Sequence, residues 1–261
     1  MTAIHPTTAG LAREAATRLE RARRERTAIA PLSDELPELD LATAYEVQRL
    51  HRGVAGELVG WKLGVTSRAK QAQVGVHEPI RGFLAAEHVL DLGEPLQTGQ
   101  HIQPRCEPEI VLIMGAELSG ARVVAADVLA ATSAVAVGIE VLDSRYEGYR
   151  FTMPDVVADN ASAARFVVGA PTPLNGIDLR LVGVVLEHRG EVVATASGAA
   201  SLGHPAAAVA WLVRSLAAYG EGLHTGDVIL SGGLTAAVPV APGDVVVATI
   251  DRLGSLELAC H

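Results

Sequence analysis

The sequence predicts an α+β fold in which strands dominate and a few helices lie between them. The last hundred residues contain short apolar runs separated by turn signals. Among these runs, residues 181–187 and 191–196 flank Arg189-Gly190, which is typical of a hairpin. The first 58 residues instead follow a helical period. One strand does not alternate regularly with one helix along the chain, so the pattern favours α+β over repeated βαβ units.

The composition indicates a globular protein with a large aliphatic core. Of 261 residues, 49% are apolar and only 3% are aromatic, so the core must be built on Ala, Val and Leu. This length suits one large or two small domains. The formal net charge of -9 argues against non-specific nucleic-acid binding, which needs clustered Lys and Arg. A small anionic substrate would therefore need a local positive centre, from a metal ion or a few basic residues.

Three features predict a cytoplasmic location. Cys106 and Cys260 are the only cysteines, which gives no disulfide framework and fits a reducing compartment. No apolar run approaches the roughly 18 residues of a membrane-spanning helix. The first 27 residues lack the apolar core of a secretory signal, and glutamates alternate with the arginines there, which favours a solvated helix over a transit peptide.

Residues 1–58 are predicted to form a helical layer. Residues 8–26 carry apolar side chains near one stripe and charges elsewhere, as an amphipathic helix does. A second helix, residues 41–52, follows Asp40, a good N-cap because its carboxylate can accept from free backbone N–H groups. This layer is too small for an independent domain, so we expect residues 59–261 to form the main domain.

The elements of the main domain follow from a change in residue pattern at Leu58. The sequence predicts a strand at 59–65, a short helix from Ser67 through Gln73 ended by Gly75, loops to about residue 104, a strand at 104–114, a helix at 124–132 and a buried strand at 134–142. Residues 143–162 read as an ordered functional loop with one helical turn. The hairpin, a helix at 205–219 and strands at 227–230, 244–250 and 255–259 complete the chain.

Two carboxylates near the start of the strand at 104–114 are the most informative feature. Side chains alternate along a strand, so Glu107 and Glu109 face the same way, followed on that face by Val111 and Ile113. Two like charges on a face that becomes core repel each other and resist burial. A hard divalent cation would remove both problems. The alternative is a solvated strand end, which Glu-x-Glu alone favours.

Glu140 supplies a third carboxylate. It interrupts the apolar run of residues 137–142, where a charge needs a partner. If this strand lies beside the acidic one, Glu107, Glu109 and Glu140 converge and can hold an octahedral Mg²⁺ or Mn²⁺, with water and substrate as remaining ligands. The alternative is that Glu140 pairs with Arg145 or another base at the strand end.

Lys62 lies between Trp61 and Leu63 in an apolar strand. A buried lysine is costly unless it is paired, and it can act as an acid, a base or a fixed positive charge. The residue alone favours the plainer alternative, a lysine on the exposed face of a half-buried strand. Cys106 faces away from the glutamates and reads as a core residue.

Two polar stretches could contribute to a pocket. Asp155, Asp159, Asn160 and Ser162 either line one or serve as turn and cap residues. Residues 231–235, Ser-Gly-Gly-Leu-Thr, follow a strand and offer backbone N–H groups and hydroxyls to an anion.

Seven motifs in one order resemble the 2-oxopent-4-enoate hydratase and 4-oxalocrotonate decarboxylase family of the fumarylacetoacetate hydrolase superfamily. They are residues 60–70 (GWKLGVTSRAK), 104–109 (PRCEPE), 138–145 (GIEVLDSR), 157–162 (VADNAS), 202–205 (LGHP), 226–232 (GDVILSG) and 253–255 (LGS). The resemblance implies a fumarylacetoacetase-like mixed β-sandwich or roll, with residues 59–261 as the catalytic domain. It also implies a homo-oligomeric assembly and association with a hydratase or decarboxylase partner enzyme.

The resemblance assigns roles to single residues as expectations. It implies Mg²⁺ or Mn²⁺ held by Glu107, Glu109 and Glu140, and Lys62 as the catalytic residue. We expect the small 2-oxo acid substrate to be contacted by five further side chains: Arg145, Asn160, Ser162, Arg165 and Thr235. Cys106 departs from the Val of the family pattern, which affects the packing behind the metal rather than its ligands.

The motifs favour a decarboxylase over a hydratase. Ile80 follows Gly75-Val76-His77-Glu78-Pro79 where the hydratases have Asp, and Tyr146 follows Ser144-Arg145 as in the decarboxylases. Arg165 could contact a second substrate carboxylate. We therefore expect decarboxylation of 2-oxohex-3-enedioate in meta-cleavage aromatic catabolism. The alternative is hydration of 2-hydroxypenta-2,4-dienoate, whose enzymes share the ending of residues 234–239. A non-catalytic partner subunit is a third reading, against which the intact Lys62 and glutamates argue.

Overall fold

The computed structural model describes residues 6–67, 71 and 78–261. In these parts of the chain the helices are α1 (Pro6–Glu25), α2 (Leu32–Glu35), α3 (Leu41–Arg52), α4 (Ala125–Ala131), α5 (Met153–Ala158) and α6 (Pro205–Ala217). The strands are β1 (Leu58–Gly64), β2 (Ile80–Ala85), β3 (Arg105–Met114), β4 (Thr132–Leu142), β5 (Ala163–Val168), β6 (Gly183–His188), β7 (Glu191–Ser197), β8 (Val228–Leu230), β9 (Val238–Pro239), β10 (Val245–Ile250) and β11 (Gly254–Ala259). The predicted α+β class is confirmed.

A curled seven-stranded sheet carries the acidic strand near its middle. Its order is β2-β1-β8-β3-β4-β5, with β9 beside the start of β3. The two edges approach each other, because the side-chain amide of Asn160 accepts from the N–H of Phe83 on β2 at 2.9 Å and donates to the carbonyl of Phe83 at 3.0 Å. Just beyond β2, the N–H of Leu90 donates to Phe166 on β5. The sheet is therefore a roll with one concave face.

A four-stranded sheet, in the order β11-β10-β6-β7, packs on the convex face of the roll. The main core lies between the two sheets and α6 and is almost wholly aliphatic. Val137 and Val141 from β4 share it with Val246 and Ala248 from β10. The hairpin between β6 and β7 is confirmed: Arg189 and Gly190 have φ of 56° and 79°, the pair of positive values that a type I′ turn requires.

The N-terminal helices pack beside the roll around a second core. Ala15 and Leu19 of α1 and Val47 of α3 pack with Tyr146 and Val157, which belong to the segment between β4 and β5. Asp40 caps α3 as predicted, since its carboxylate accepts from the N–H of Thr43 at 2.8 Å. The division at residue 58 stays a prediction. No helix of the described residues is long and apolar enough to cross a bilayer.

Several elements differ from the prediction. β2 lies in a stretch predicted to be loop, and β5 and β9 lie in stretches for which no element was predicted. Every residue of β2 is buried, so the alternation that marks a half-buried strand is missing there. The short helix predicted after Ser67 falls largely outside the described residues.

Candidate active site

Three buried glutamates converge on the concave face of the roll. β3 and β4 are antiparallel neighbours, and their register places Glu107 directly opposite Glu140, with Glu109 two residues further along β3. One carboxylate oxygen of each residue lies within 4.8 Å of the other two. The side-by-side pairing predicted for the two strands is confirmed, and the solvated strand end is wrong because all three side chains are buried.

In the described part of the chain, three oxygens of Glu109 and Glu140 lack the hydrogen bonds that burial normally requires. Among the described residues, Glu109 Oε1 and both oxygens of Glu140 accept no hydrogen bond. Burial, reinforced by the charges of Glu140 and Glu107, raises the pKa of Glu109 well above 4.5, and burial likewise raises the pKa of Glu140. Oxygen donors that are crowded, buried and without hydrogens to accept are what a hard divalent cation binds. The residues present therefore fit such a cation.

Glycines let the carboxylates approach the loop after β8. The N–H of Gly232 donates to Glu109 Oε2 at 2.6 Å, so the anion held by this loop is Glu109 itself. A Cβ at Gly233 would lie 2.1 Å from Oε2 of Glu107. Only glycine fits there, because any larger side chain would push Glu107 away from the cluster.

Lys62 is buried beside the glutamates, with 2% of its side chain exposed, so the expectation of an exposed lysine is wrong. Its Nζ lies 3.1 Å from Oε1 of Glu140, an ion-pair distance, and donates a hydrogen bond to the carbonyl of Ala161 at 3.1 Å. The ammonium of Lys62 places one positive charge next to three carboxylates, so among the described residues the charges at the cluster are not balanced.

The carbonyl that holds Lys62 belongs to an unusual turn. Asn160, Ala161 and Ser162 have φ of 49°, 52° and 59°, three left-handed residues in a row, none of them glycine. Such backbone costs about 1–2 kcal/mol per residue and persists only where its surroundings enforce it. The two bonds from the Asn160 amide to Phe83 supply that enforcement. Gly82 is needed at the contact, since a Cβ there would lie 2.6 Å from the carbonyl oxygen of Asn160.

Arg145, predicted to contact substrate or alternatively to pair with Glu140, makes its ion pair with Asp159. Its contact with substrate stays a prediction. Its guanidinium forms an ion pair with buried Asp159 and donates to the carbonyls of Asp143 at 2.7 Å and Asp159 at 2.6 Å. These bonds support the turn at Asn160. Asn160 likewise uses its amide on Phe83, so the structure gives both residues positioning contacts.

The remaining predicted contacts differ in their placement. Ser162 is buried, and its Oγ has no hydrogen-bond partner among the described residues. Thr235 ends the loop whose glycines contact the glutamates, and its hydroxyl donates to the carbonyl of Ala236 at 3.0 Å. Arg165 lies opposite Val141 on β4, which is the residue after Glu140. Its side chain therefore faces the other side of the sheet from Glu140, and there it donates to the carbonyl of Glu87.

Thr66 is a polar residue of this site that the sequence did not single out. It is 1% exposed, and its hydroxyl has no hydrogen-bond partner among the described residues. Its only signal in the sequence is its place in the motif of residues 60–70, four residues after Lys62.

Comparison with known proteins identifies the family. Residues 58–259 match the model of the fumarylacetoacetate hydrolase C-terminal family. The chain is 43% identical over 234 residues to a 4-oxalocrotonate decarboxylase from Pseudomonas sp. strain CF600. The aligned residues cover 88% of this chain and 89% of that protein. The chain belongs to the fumarylacetoacetate hydrolase family. This family member therefore has a curled sheet with three buried carboxylates and a buried lysine on it.

Other family members are similar over nearly the whole chain. The structure of 4-oxalocrotonate decarboxylase from Pseudomonas putida G7, complexed with magnesium and adipate, superposes with a TM-score of 0.90 at 41% identity, covering 95% of this chain and 96% of that one. The TodF product hydratase of Pseudomonas putida strain F1 is 40% identical over 255 residues, covering 96% of this chain and 95% of that protein. The fumarylacetoacetase-like fold predicted for the chain is confirmed.

Proposed function

We propose that this protein is a Mg²⁺-dependent lyase that decarboxylates 2-oxohex-3-enedioate (4-oxalocrotonate), or a close relative, to 2-hydroxypenta-2,4-dienoate and CO₂. The observation that carries the proposal is the cluster of Glu107, Glu109 and Glu140 beside Lys62, all buried on one face. The identity of 41–43% to proteins named 4-oxalocrotonate decarboxylase supports the choice of reaction. Mn²⁺ satisfies the same oxygen ligands.

The three glutamates would hold the cation through their carboxylate oxygens, of which Glu109 Oε1 and both of Glu140 accept no hydrogen bond from the described residues. Gly232 keeps Glu109 in place through its N–H, and Gly233 leaves room for Glu107. When bound, a divalent cation supplies Lewis-acid stabilisation of the negative charge that develops on the 2-oxo group, worth several kcal/mol. The magnesium in the structure of the Pseudomonas putida G7 enzyme is consistent with this assignment.

The reaction moves one electron pair along the substrate. The bond to the distal carboxylate breaks and CO₂ leaves. The electron pair of the broken bond is delocalised through the C3–C4 double bond into the C2 carbonyl, which gives a dienolate. We assign Lys62 to this oxygen: its ammonium opposes the developing negative charge and can donate the proton that makes the enol. The carbonyl of Ala161 fixes the direction of Nζ through the 3.1 Å hydrogen bond.

The support of Lys62 comes from the turn of residues 160–162. Asn160 ties this turn to Phe83, and the pair of Arg145 and Asp159 ties its other end, so we assign Asn160 and Arg145 positioning roles. Ser162 is assigned to the substrate, because its buried hydroxyl is left for a ligand to satisfy. Thr235 stays a proposed contact at the rim of the glycine loop.

Arg165 is not assigned to the distal carboxylate, because its strand position directs it away from Glu140. This agrees with the chemistry of decarboxylation. An arginine that held the leaving carboxylate tightly in the ground state would oppose its loss as neutral CO₂.

Hydration of 2-hydroxypenta-2,4-dienoate is the second candidate, and the 40% identity to the TodF product hydratase favours it. The same site would then protonate the dienol at one end while water adds at the other. A non-catalytic partner subunit is disfavoured, since such a protein has no need to keep three crowded, buried carboxylates and a buried lysine.

A side-by-side assay distinguishes these functions. Purified protein in Mg²⁺ is given the enedioate and, in a second reaction, the dienoate, and products are followed by CO₂ release and by mass. We expect CO₂ from the first with no water added. Water addition to the dienoate with no CO₂ from the enedioate would instead establish the hydratase.

The proposal extends to the location and assembly of the protein. The two buried free cysteines, Cys106 and Cys260, suit a reducing compartment, so we propose the cytoplasm. We also propose a homo-oligomer that can associate with the enzyme of the adjacent step, because the decarboxylation product is the substrate of the hydratase. Light scattering of the purified protein, alone and mixed with such a hydratase, tests both.

A further inference from the structure

Thr66 occupies an unusual place in the backbone next to the glutamate cluster. The residue before it, Val65, has φ of 56°, a left-handed conformation that is a genuine outlier for a β-branched side chain. The carbonyl of Thr66 accepts from the N–H of Leu202 at 2.9 Å, which holds the bend at the end of β1. The chain therefore turns sharply just after the strand that carries Lys62.

The bend places the Thr66 hydroxyl against the loop that holds Glu109. A Cβ at Gly232 would lie 2.2 Å from Thr66 Oγ1, and the N–H of that same glycine donates to Glu109 Oε2. Gly232 has φ of 105°, which reinforces the need for glycine at this contact. The hydroxyl thus lies beside Gly232, the residue whose N–H donates to Glu109 of the cluster. Along the chain, Thr66 is four positions after Lys62.

The hydroxyl is buried with no hydrogen-bond partner among the described residues, although the protein keeps it in a strained segment. A buried polar group without a partner is unfavourable, and a valine of nearly the same shape would avoid that cost. Threonine is therefore useful at this position if its hydroxyl binds a group other than the described residues, and a bound ligand supplies such a group.

We infer that Thr66 is a substrate-binding residue whose hydroxyl donates a hydrogen bond to an oxygen of the 2-oxo acid end of the substrate. The inference rests on the proposed function insofar as the substrate carries such an end next to the glutamates. The enedioate and the dienoate share this end in keto or enol form. The contact is therefore expected with either substrate, and it does not depend on which of the two reactions the enzyme performs.

Thr66→Val and Thr66→Ser form the matched test. Valine removes the hydroxyl and keeps the branched shape, whereas serine keeps the hydroxyl. We expect KM for the substrate that is turned over to rise about tenfold or more in T66V and to stay near the wild-type value in T66S. The unfolding midpoint of metal-free T66V should equal or exceed that of the wild type, because an unsatisfied group has been removed.

Two results would overturn the inference. A KM within about twofold of the wild type in T66V would show that the hydroxyl contacts no substrate, and an equal loss in T66S and T66V would show that only packing matters. If only the dienoate is turned over, the proposed decarboxylation fails while the inference is still read from the KM of the dienoate.

A binding measurement covers the case in which neither compound reacts. Calorimetry in excess Mg²⁺ with oxalate as the probe, which offers two adjacent oxygen donors like a 2-oxo acid, needs no turnover. We expect T66V to bind oxalate about tenfold more weakly than the wild type at equal Mg²⁺ affinity. Equal oxalate affinity in the two proteins, or no oxalate binding by the wild type, would contradict the inference.

Discussion

Glu107 and Glu140 lie directly opposite each other on neighbouring strands, both buried, at a position where a sheet normally pairs apolar or oppositely charged side chains. Glu109, two residues along, has the third carboxylate of the cluster. Lys62 is the cation that pairs with this cluster in the described part of the chain. The crowded carboxylates are unfavourable in the free protein and become favourable when a divalent cation binds.

The stability of the metal-free protein should fall as pH rises. Burial and mutual repulsion raise the pKa values of Glu109 and Glu140, so the folded chain binds more protons than the unfolded one in the pH range above 4.5. Deprotonation then costs folding free energy, whereas bound Mg²⁺ favours the ionised form. We expect the unfolding midpoint in EDTA to decrease from pH 5 upward, and the gain on adding Mg²⁺ to grow with pH. A gain that is constant across this range would contradict the assignment.

Neutralising one ligand should separate stability from metal binding. Glu140→Gln removes a buried charge from the crowded cluster, so we expect the metal-free variant to unfold at or above the wild-type midpoint. Mg²⁺ should no longer stabilise it, and turnover should fall at least about 100-fold. Glu117→Gln, at an exposed glutamate, is the matched control and should leave both properties unchanged. Retained Mg²⁺ binding in E140Q would remove Glu140 from the ligand set.

Gly233→Ala tests the space that the cluster needs. The added Cβ would lie 2.1 Å from a Glu107 oxygen, so Glu107 must move. We expect Mg²⁺ affinity to drop by about tenfold or more while the protein stays folded. Gly99→Ala is the control, because a Cβ there has no heavy atom within 4 Å. Calorimetry measures the Mg²⁺ affinity of both variants. Equal affinities would show that Glu107 can move without weakening Mg²⁺ binding.

Lys62→Met tests the assigned proton donor. Methionine fills the same space without the charge, and general acid catalysis typically contributes about 10²–10⁴ in rate. We expect kcat to fall within this range while the protein still binds Mg²⁺. A loss confined to KM would indicate that Lys62 only attracts the anionic substrate.

Asn160→Ala tests the turn that holds Lys62. It removes both hydrogen bonds to Phe83 and should destabilise the protein by about 1–3 kcal/mol. Because the turn orients Lys62 through the Ala161 carbonyl, kcat should fall more than KM rises. A direct substrate contact would instead give a dominant change in KM. Steady-state kinetics and thermal unfolding of the variant distinguish these outcomes.

The sequence was sufficient for the parts of the site that follow from local periodicity. Alternation along one strand places Glu107 and Glu109 on one face, and the apolar run around Glu140 marks a charge that needs a partner. The burial of Lys62 was not predicted from its neighbours, which alone favoured an exposed position. The pairing of the strands that carry these glutamates could also be predicted, because only one helix separates the two strands along the chain.

Long-range closure could not be predicted in the same way. Asn160 and Phe83 are 77 residues apart, and only the curled sheet brings them together. The direction of Arg165 depends on which residue of β5 opposes Glu140, and an irregularity in the pairing at Leu142 alters that register. The unsatisfied hydroxyl of Thr66 is a property of its surroundings, so no local pattern reveals it.

The most direct measurement is CO₂ release from 2-oxohex-3-enedioate by the purified protein with Mg²⁺ present and after its removal with EDTA. We predict one CO₂ for each molecule of substrate consumed with Mg²⁺, release that stops in EDTA and returns on adding Mg²⁺, and no release by Glu140→Gln. Consumption of the enedioate without CO₂, or release that continues unchanged in EDTA, would contradict the proposal of a metal-dependent decarboxylase.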